Sequence, residues 1–320
     1  MFFFQGRKDR KKKEDVLSGS LFNETARIDH GIFALKDILT DYIDSEFSGA
    51  VESVAPQIYW DTACIKEEVN VYYRFYITDT GKIVRVNSAK VSQFLSDFST
   101  IAIAVPSDRC STSLFSWLDG VQSEFETIRT VIPYKLDTCE FSSIRIKNQN
   151  GFITSMVSSF PDTVRQSFEN ALSLFFAQGG AVVSVCDRIF PLTAYIASEV
   201  DIEEKKTVMG VERRGENYLV WNMTKTDGKI IPVNSNQFRI SEINPENDIF
   251  RTCAFLTSEA IKIHKFPPAE KMFFIDVYAG KNDIPRSRAM QSVRDSVSSI
   301  SETAFMEVPN AVLSGMVKAV

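Results

Sequence analysis

Two stretches of the 320-residue chain are written nearly alike: SGAVESVAPQIYWDTACI at 48–65 and GGAVVSVCDRIFPLTAYI at 179–196. Without gaps they agree at Gly49/Gly180, Ala50/Ala181, Val51/Val182, Ser53/Ser184, Val54/Val185, Ile58/Ile189, Thr62/Thr193, Ala63/Ala194 and Ile65/Ile196. Chance would supply about one such match. A second pair follows in the same order, YYRFYITDTGKIVRVNS at 72–88 and YLVWNMTKTDGKIIPVNS at 218–235, sharing Gly-Lys-Ile and then Val-Asn-Ser. The reading is an internal duplication with a longer connection in the second copy, residues 66–71 becoming 197–217.

Each copy predicts helix, strand, hairpin. Ile28, Ile32, Leu35, Ile38, Leu39 and Tyr42 recur at helical spacing before the first stretch, as do Phe168, Leu172, Phe175 and Phe176 before the second. Pro161 suits a first helical turn and Gly179-Gly180 a stop. The Gly in TDTGK and KTDGK accepts the positive φ of a tight reversal, so both read as hairpin turns. The span IAIAV reads as a buried strand and STSLFSWLDGVQSEFETI as a helix with Leu114, Trp117, Leu118, Val121 and Phe125 inward. The charged span 197–217 is expected to protrude as a loop or extra hairpin.

The fold class expected is α+β: two tandem related domains, each an antiparallel sheet with packed helices. Their ranges are 21–150 and 151–305, with the boundary in 147–159, a basic N-terminal arm at 1–20 and an apolar tail helix at 306–320. With 44% hydrophobic and 24% charged residues the composition is that of a globular protein, and no apolar run reaches the eighteen or so residues of a membrane span. At the N-terminus apolar residues precede charges, the reverse of a secretory signal, so a cytoplasmic protein is expected, in a host cell or virion if viral.

The chemistry on offer is sparse. Cys64, Cys110, Cys139, Cys186 and Cys253 are odd in number and widely spaced, which fits neither a disulfide framework nor a zinc site and points to buried thiols in a reducing compartment. No nucleophile-elbow, P-loop, zincin or dinucleotide motif occurs. His30 and His264 read as helix-surface and strand-face residues. The acidic groups Asp41, Asp44, Glu46 and Glu199, Asp201, Glu203, Glu204 could do acid–base work or hold a cation, but read better as a wet helix face and a wet loop. Lys82 and Lys229, each following a turn Gly, lack the helix N-terminus that would make a phosphate site. No catalytic residue, metal or cofactor is expected.

Two places suit partners. The basic tip, Arg7, Lys8, Arg10, Lys11, Lys12 and Lys13, stands against a body of net charge −8 (30 cations, 38 acids), and with Tyr73, Arg74 and Arg85 it forms the candidate nucleic-acid or partner surface. Phe2, Phe3 and Phe4 with Val312, Leu313, Met316 and Val317 form the candidate assembly arms. The leading expectation is a non-catalytic assembly protein that self-associates or binds a protein partner, as a subunit of a viral or phage particle, tail or intracellular shell. The alternative is a single-stranded RNA-binding protein, and the third an enzyme using the acidic clusters.

Overall fold

The computed structural model describes residues 55–67, 69–149, 151–214, 217–226, 228–239, 269–276, 302–306 and 310–318. The chain forms two compact units, dividing between Phe190 and Pro191. Residues 147–159 lie in a β-hairpin turning at Gly151, whose φ is +82°.

The first unit is built on β1 (Ile58–Glu67), β2 (Asn70–Ile77), β3 (Lys82–Asn87), β4 (Thr100–Val105) and β8 (Ala181–Asp187) in the order β3-β2-β1-β4-β8. The hairpins β1–β2 and β2–β3 are antiparallel, whereas β1–β4 and β4–β8 are parallel. Parallel neighbours need long crossovers. The first runs through β2, β3 and the short helix α1 (Val91–Leu95); the second carries β5 (Ser111–Leu118), α2 (Glu124–Val131), β6 (Cys139–Gln149), β7 (Phe152–Pro161) and α3 (Asp162–Ala177). Every residue of β4 is buried, as a continuous apolar run in a parallel centre should be.

Helix α3 presents Val164, Phe168, Leu172 and Phe175 to Ile58, Trp60, Phe75, Ile101, Ile103, Val182 and Val185 of the sheet. Trp60 stacks on Phe75 at 5.4 Å and meets Phe168 edge-on at 5.7 Å. The helix stops where Gly179 takes φ +81° and the Gly180 N–H donates to the Phe175 carbonyl at 2.9 Å. Within the second crossover, β5-β7-β6 form a separate antiparallel sheet, cored by Phe115, Trp117, Ile128, Phe141, Ile153 and Val157.

Helix α4 (Ile189–Glu199) leads into the second unit, whose sheet has the order β11-β10-β9-β12-β13, from β9 (Thr207–Arg214), β10 (Asn217–Thr226), β11 (Lys229–Arg239), β12 (Ala269–Asp276) and β13 (Glu302–Met306). Here too two antiparallel hairpins precede two parallel pairings. Helix α5 (Ala311–Lys318) packs its Gly315 on Pro191 of α4, and the Trp221 indole N–H donates to Thr193 Oγ1 at 3.1 Å.

The expectation of two tandem antiparallel α+β domains is overturned. Both sheets are mixed, with parallel strands at one side, and the overlay that suggested duplication does not map like onto like. Ile58–Ile65 lies in β1, whereas Ile189–Ile196 lies in α4. Ile, Thr, Ala and Ile are shared and indifferent. What decides is Pro191, which costs nothing in a first helical turn, against the Tyr59 and Trp60 of a strand. The hairpins at 72–88 and 218–235 do hold equivalent places in the two sheets.

Two further expectations fail. Ser111–Leu118 is a strand, because Phe115 and Trp117 alternate into the small core. The span 197–217 contains β9, the central strand of the second sheet, with Val208, Met209 and Val211 buried.

Candidate functional site

In open α/β sheets, ligands bind outside the carboxyl ends of the parallel strands. In the first unit that end carries charge. Asp61 closes the regular part of β1, opposite Arg74 of β2 on one side and Ala104 of β4 on the other. Asp187 ends β8 opposite Val105, and Arg188 follows, its N–H donating to the Val105 carbonyl at 2.9 Å. All four charged residues are buried, Asp61 to 1%, Asp187 to 2%, Arg188 to 3% and Arg74 to 5% exposure. Charges so buried must be paired.

A shift of register after Asp61 turns the backbone so that the Ala63 N–H donates to Asp61 Oδ1 at 3.1 Å. The same oxygen accepts from Arg188 Nη1 at 2.7 Å, and Oδ2 accepts from Arg74 Nη2 at 2.7 Å. Asp187 Oδ1 accepts from Ser107 Oγ at 2.5 Å and from the Ile189 N–H at 3.1 Å, which caps the start of α4; Oδ2 accepts from Thr112 Oγ1 at 2.8 Å. Burial pushes the Asp187 carboxyl above the usual carboxylate range, against the pull of these bonds and of Arg188. Burial and then the Asp187 charge push the Cys110 and Cys186 thiols well up, so neither supplies a thiolate.

Two carboxylates and two guanidiniums sum to zero. Each Asp61 oxygen is held by an arginine, and Asp187 is held by hydroxyls and a backbone amide. The cluster ties β1, β2, the end of β8 and the start of α4 together.

The predicted site residues are dispersed. Tyr73 turns to the helix-covered face and meets Trp60 edge-on at 5.4 Å, while Arg74 is buried on the other face with Asp61. Arg85, opposite Arg74 in register, is exposed, lies over the Tyr72 ring at 5.0 Å and pairs with Glu67 at 2.6 Å. These three residues make no common stacking surface. Val312, Leu313 and Met316 are buried, and Val317 is half-buried. Lys318 pairs with Glu199, donates to Ser198 Oγ at 2.8 Å and lies over Tyr195 at 5.0 Å.

Of the second acidic group, Asp201 pairs with Lys225 at 3.5 Å and Glu204 accepts from the Gly228 N–H at 3.0 Å. Phe2, Phe3, Phe4, Arg7, Lys8, Arg10, Lys11, Lys12, Lys13, His30, Asp41, Asp44, Glu46, Cys253 and His264 lie outside the described residues. Asp61, Asp187 and Arg188 went unread in sequence. Their signal was charge inside apolar runs, YWDTA and SVCDRIF, where an ion survives only with a partner.

No known protein-family profile matches the chain, and no curated protein matches it. Solved structures do. A chain of the PilM–PilN type IV pilus biogenesis complex overlaps with TM-score 0.51 and 11% identity, over 83% of this chain and 98% of that one. A Bacteroides thetaiotaomicron protein described as having an actin-like ATPase fold and unknown function overlaps at 0.45 with 9% identity, over 83% and 99%. The cytoplasmic domain of EpsL, an inner-membrane component of the Vibrio cholerae type II secretion system, overlaps at 0.44 with 7% identity, over 82% and 93%.

At the carboxyl end of the first sheet the Asp61 and Asp187 carboxylates are engaged by Arg74, Arg188, Ser107 and Thr112. The viral, phage and RNA-binding expectations are overturned by the likeness in fold to a chain of the PilM–PilN complex, and Tyr73, Arg74 and Arg85 form no common surface. The fold that the chain shares is the mixed-sheet fold of the PilM–PilN structure.

Proposed function

We propose that this chain is an assembly subunit of a pilus- or secretion-type protein complex, acting by docking on a protein partner. The observation that carries the reading is the likeness to a chain of the PilM–PilN complex over nearly all of that chain's length. The ion cluster is consistent with it, since the buried charges described there are engaged with one another and with Ser107. Among the described residues no helix is long and apolar enough to cross a membrane, so the described elements fit a docking body.

The test is a tagged chain expressed at native level, cross-linked in cells and purified for mass spectrometry. A protein partner recovered in stoichiometric amount, and lost when the chain is unfolded by a core variant, is the expected result. A monomer with no stoichiometric partner in light scattering and cross-linking overturns it.

A further inference from the structure

We infer that Asp61 is an internal ligand, filling an anion site that Arg74, Arg188 and the Ala63 amide build within β1 where its pairing with β4 ends, and that this filling keeps the site from small oxyanions. The inference rests on the ion geometry and stands apart from the proposed assembly role.

Three donors converge on one carboxylate from three pieces of chain. Arg74 Nη2 reaches Oδ2 at 2.7 Å from the neighbouring strand; Arg188 Nη1 reaches Oδ1 at 2.7 Å from the turn after β8, 127 residues away in sequence; and the Ala63 N–H adds 3.1 Å from the bulge. Two guanidiniums and a backbone amide are what a protein uses to hold a carboxylate or phosphate from outside. Here the anion is covalently attached, at the sheet end where ligands ordinarily bind. Asp187, held by Ser107 Oγ, Thr112 Oγ1 and the Ile189 N–H, closes the adjoining position on β8. An entering phosphate would have to displace Asp61 from both arginines and leave that carboxylate 1% exposed, beside Ala104 in register.

Removing the carboxylate should empty the site without dismantling its walls. Asp61→Ala removes the carboxylate that both guanidiniums hold, so the variant should melt about 10 °C lower than wild type. Formate, the severed carboxylate in free form, should restore about half of that loss as its concentration rises at constant ionic strength, because a ligand that binds only the folded state stabilises it by mass action. Wild type should not respond, and Asp61→Ala combined with Arg188→Met should respond no more than wild type.

Melting curves in formate, in inorganic phosphate and in chloride at matched ionic strength read this directly. A folded Asp61→Ala protein with no formate or phosphate response beyond that of wild type overturns the inference. If the variant folds only with formate present, the inference holds in stronger form. If it folds under neither condition, wild type decides: inorganic phosphate or pyrophosphate bound in equilibrium dialysis and released by Arg188→Met shows the site open and overturns it, and absence of binding upholds it.

Discussion

A β-carbon at Gly315 would lie 1.8 Å from the carbonyl oxygen of Pro191. Helices α4 and α5 therefore touch backbone to backbone at this point, and the glycine is there because nothing larger fits. Alanine is the better helix former by about 1 kcal/mol, yet no side chain can swing aside to admit its methyl. Overpacking wins. Gly315→Ala should destabilise by about 2–3 kcal/mol net, visible as a lower melting temperature with the far-ultraviolet circular dichroism of the folded state retained.

Gly210 stands in the same relation to a side chain. Its β-carbon would lie 2.2 Å from the indole of Trp221, which is fully buried and tied to Thr193 through its N–H. Gly210→Ala should cost about 2–3 kcal/mol in wild type and clearly less in a Trp221→Leu background, where the ring is gone. Denaturant melts of the two single variants and the double variant should show a coupling of about 1–2 kcal/mol. Strict additivity would mean that the methyl clashes elsewhere.

These contacts mark what could be read in the chain and what could not. Local chemistry was legible: the hairpins at Gly81 and Gly228, the α3 stripe of Phe168, Leu172 and Phe175, the all-buried β4 and the helix at 311–318 follow from period and turn residues. Strand sense was not. An alternating run such as NVYYRFYI pairs with either neighbour, and only the crossover through α3 makes β4 and β8 parallel. The identities between 48–65 and 179–196 misled because the shared Ile, Thr and Ala residues stand in strand β1 in one stretch and in helix α4 in the other, while Pro191 carried the deciding information. The Asp61 cluster escaped because its members lie 13 and 127 residues apart, so their pairing exists only in three dimensions.

Leu313 tests whether the C-terminal stripe serves its own unit. It is fully buried in α5 beside Val312 and Met316. Leu313→Asp places an unpartnered carboxylate among apolar side chains and should cost about 3–5 kcal/mol, lowering the melting temperature of the monomer while leaving the mass measured by light scattering unchanged at any concentration where the protein stays folded. A wild-type melting temperature together with loss of assembly would place the stripe at an interface between molecules.

Asp187 predicts a pH dependence of definite sign. Burial holds its folded-state pKa above the unfolded value, so between the two values the folded protein binds the proton and the unfolded chain does not. Its contribution to stability is therefore fully present below the unfolded pKa and is lost as pH rises through the folded one. Asp187→Asn removes the titration while keeping a side-chain oxygen to accept from Ser107 Oγ and the Ile189 N–H; the Thr112 hydroxyl can rotate to accept from the new amide. The melting temperature of wild type relative to the Asn variant should accordingly rise as the buffer is taken from neutral toward the unfolded carboxylate pKa. Other carboxylates act alike in both proteins, so the difference isolates Asp187. A difference that stays flat over that range would show that the Ser107 and Thr112 hydrogen bonds cancel the effect of burial, and one that falls with acidification would show that they outweigh it.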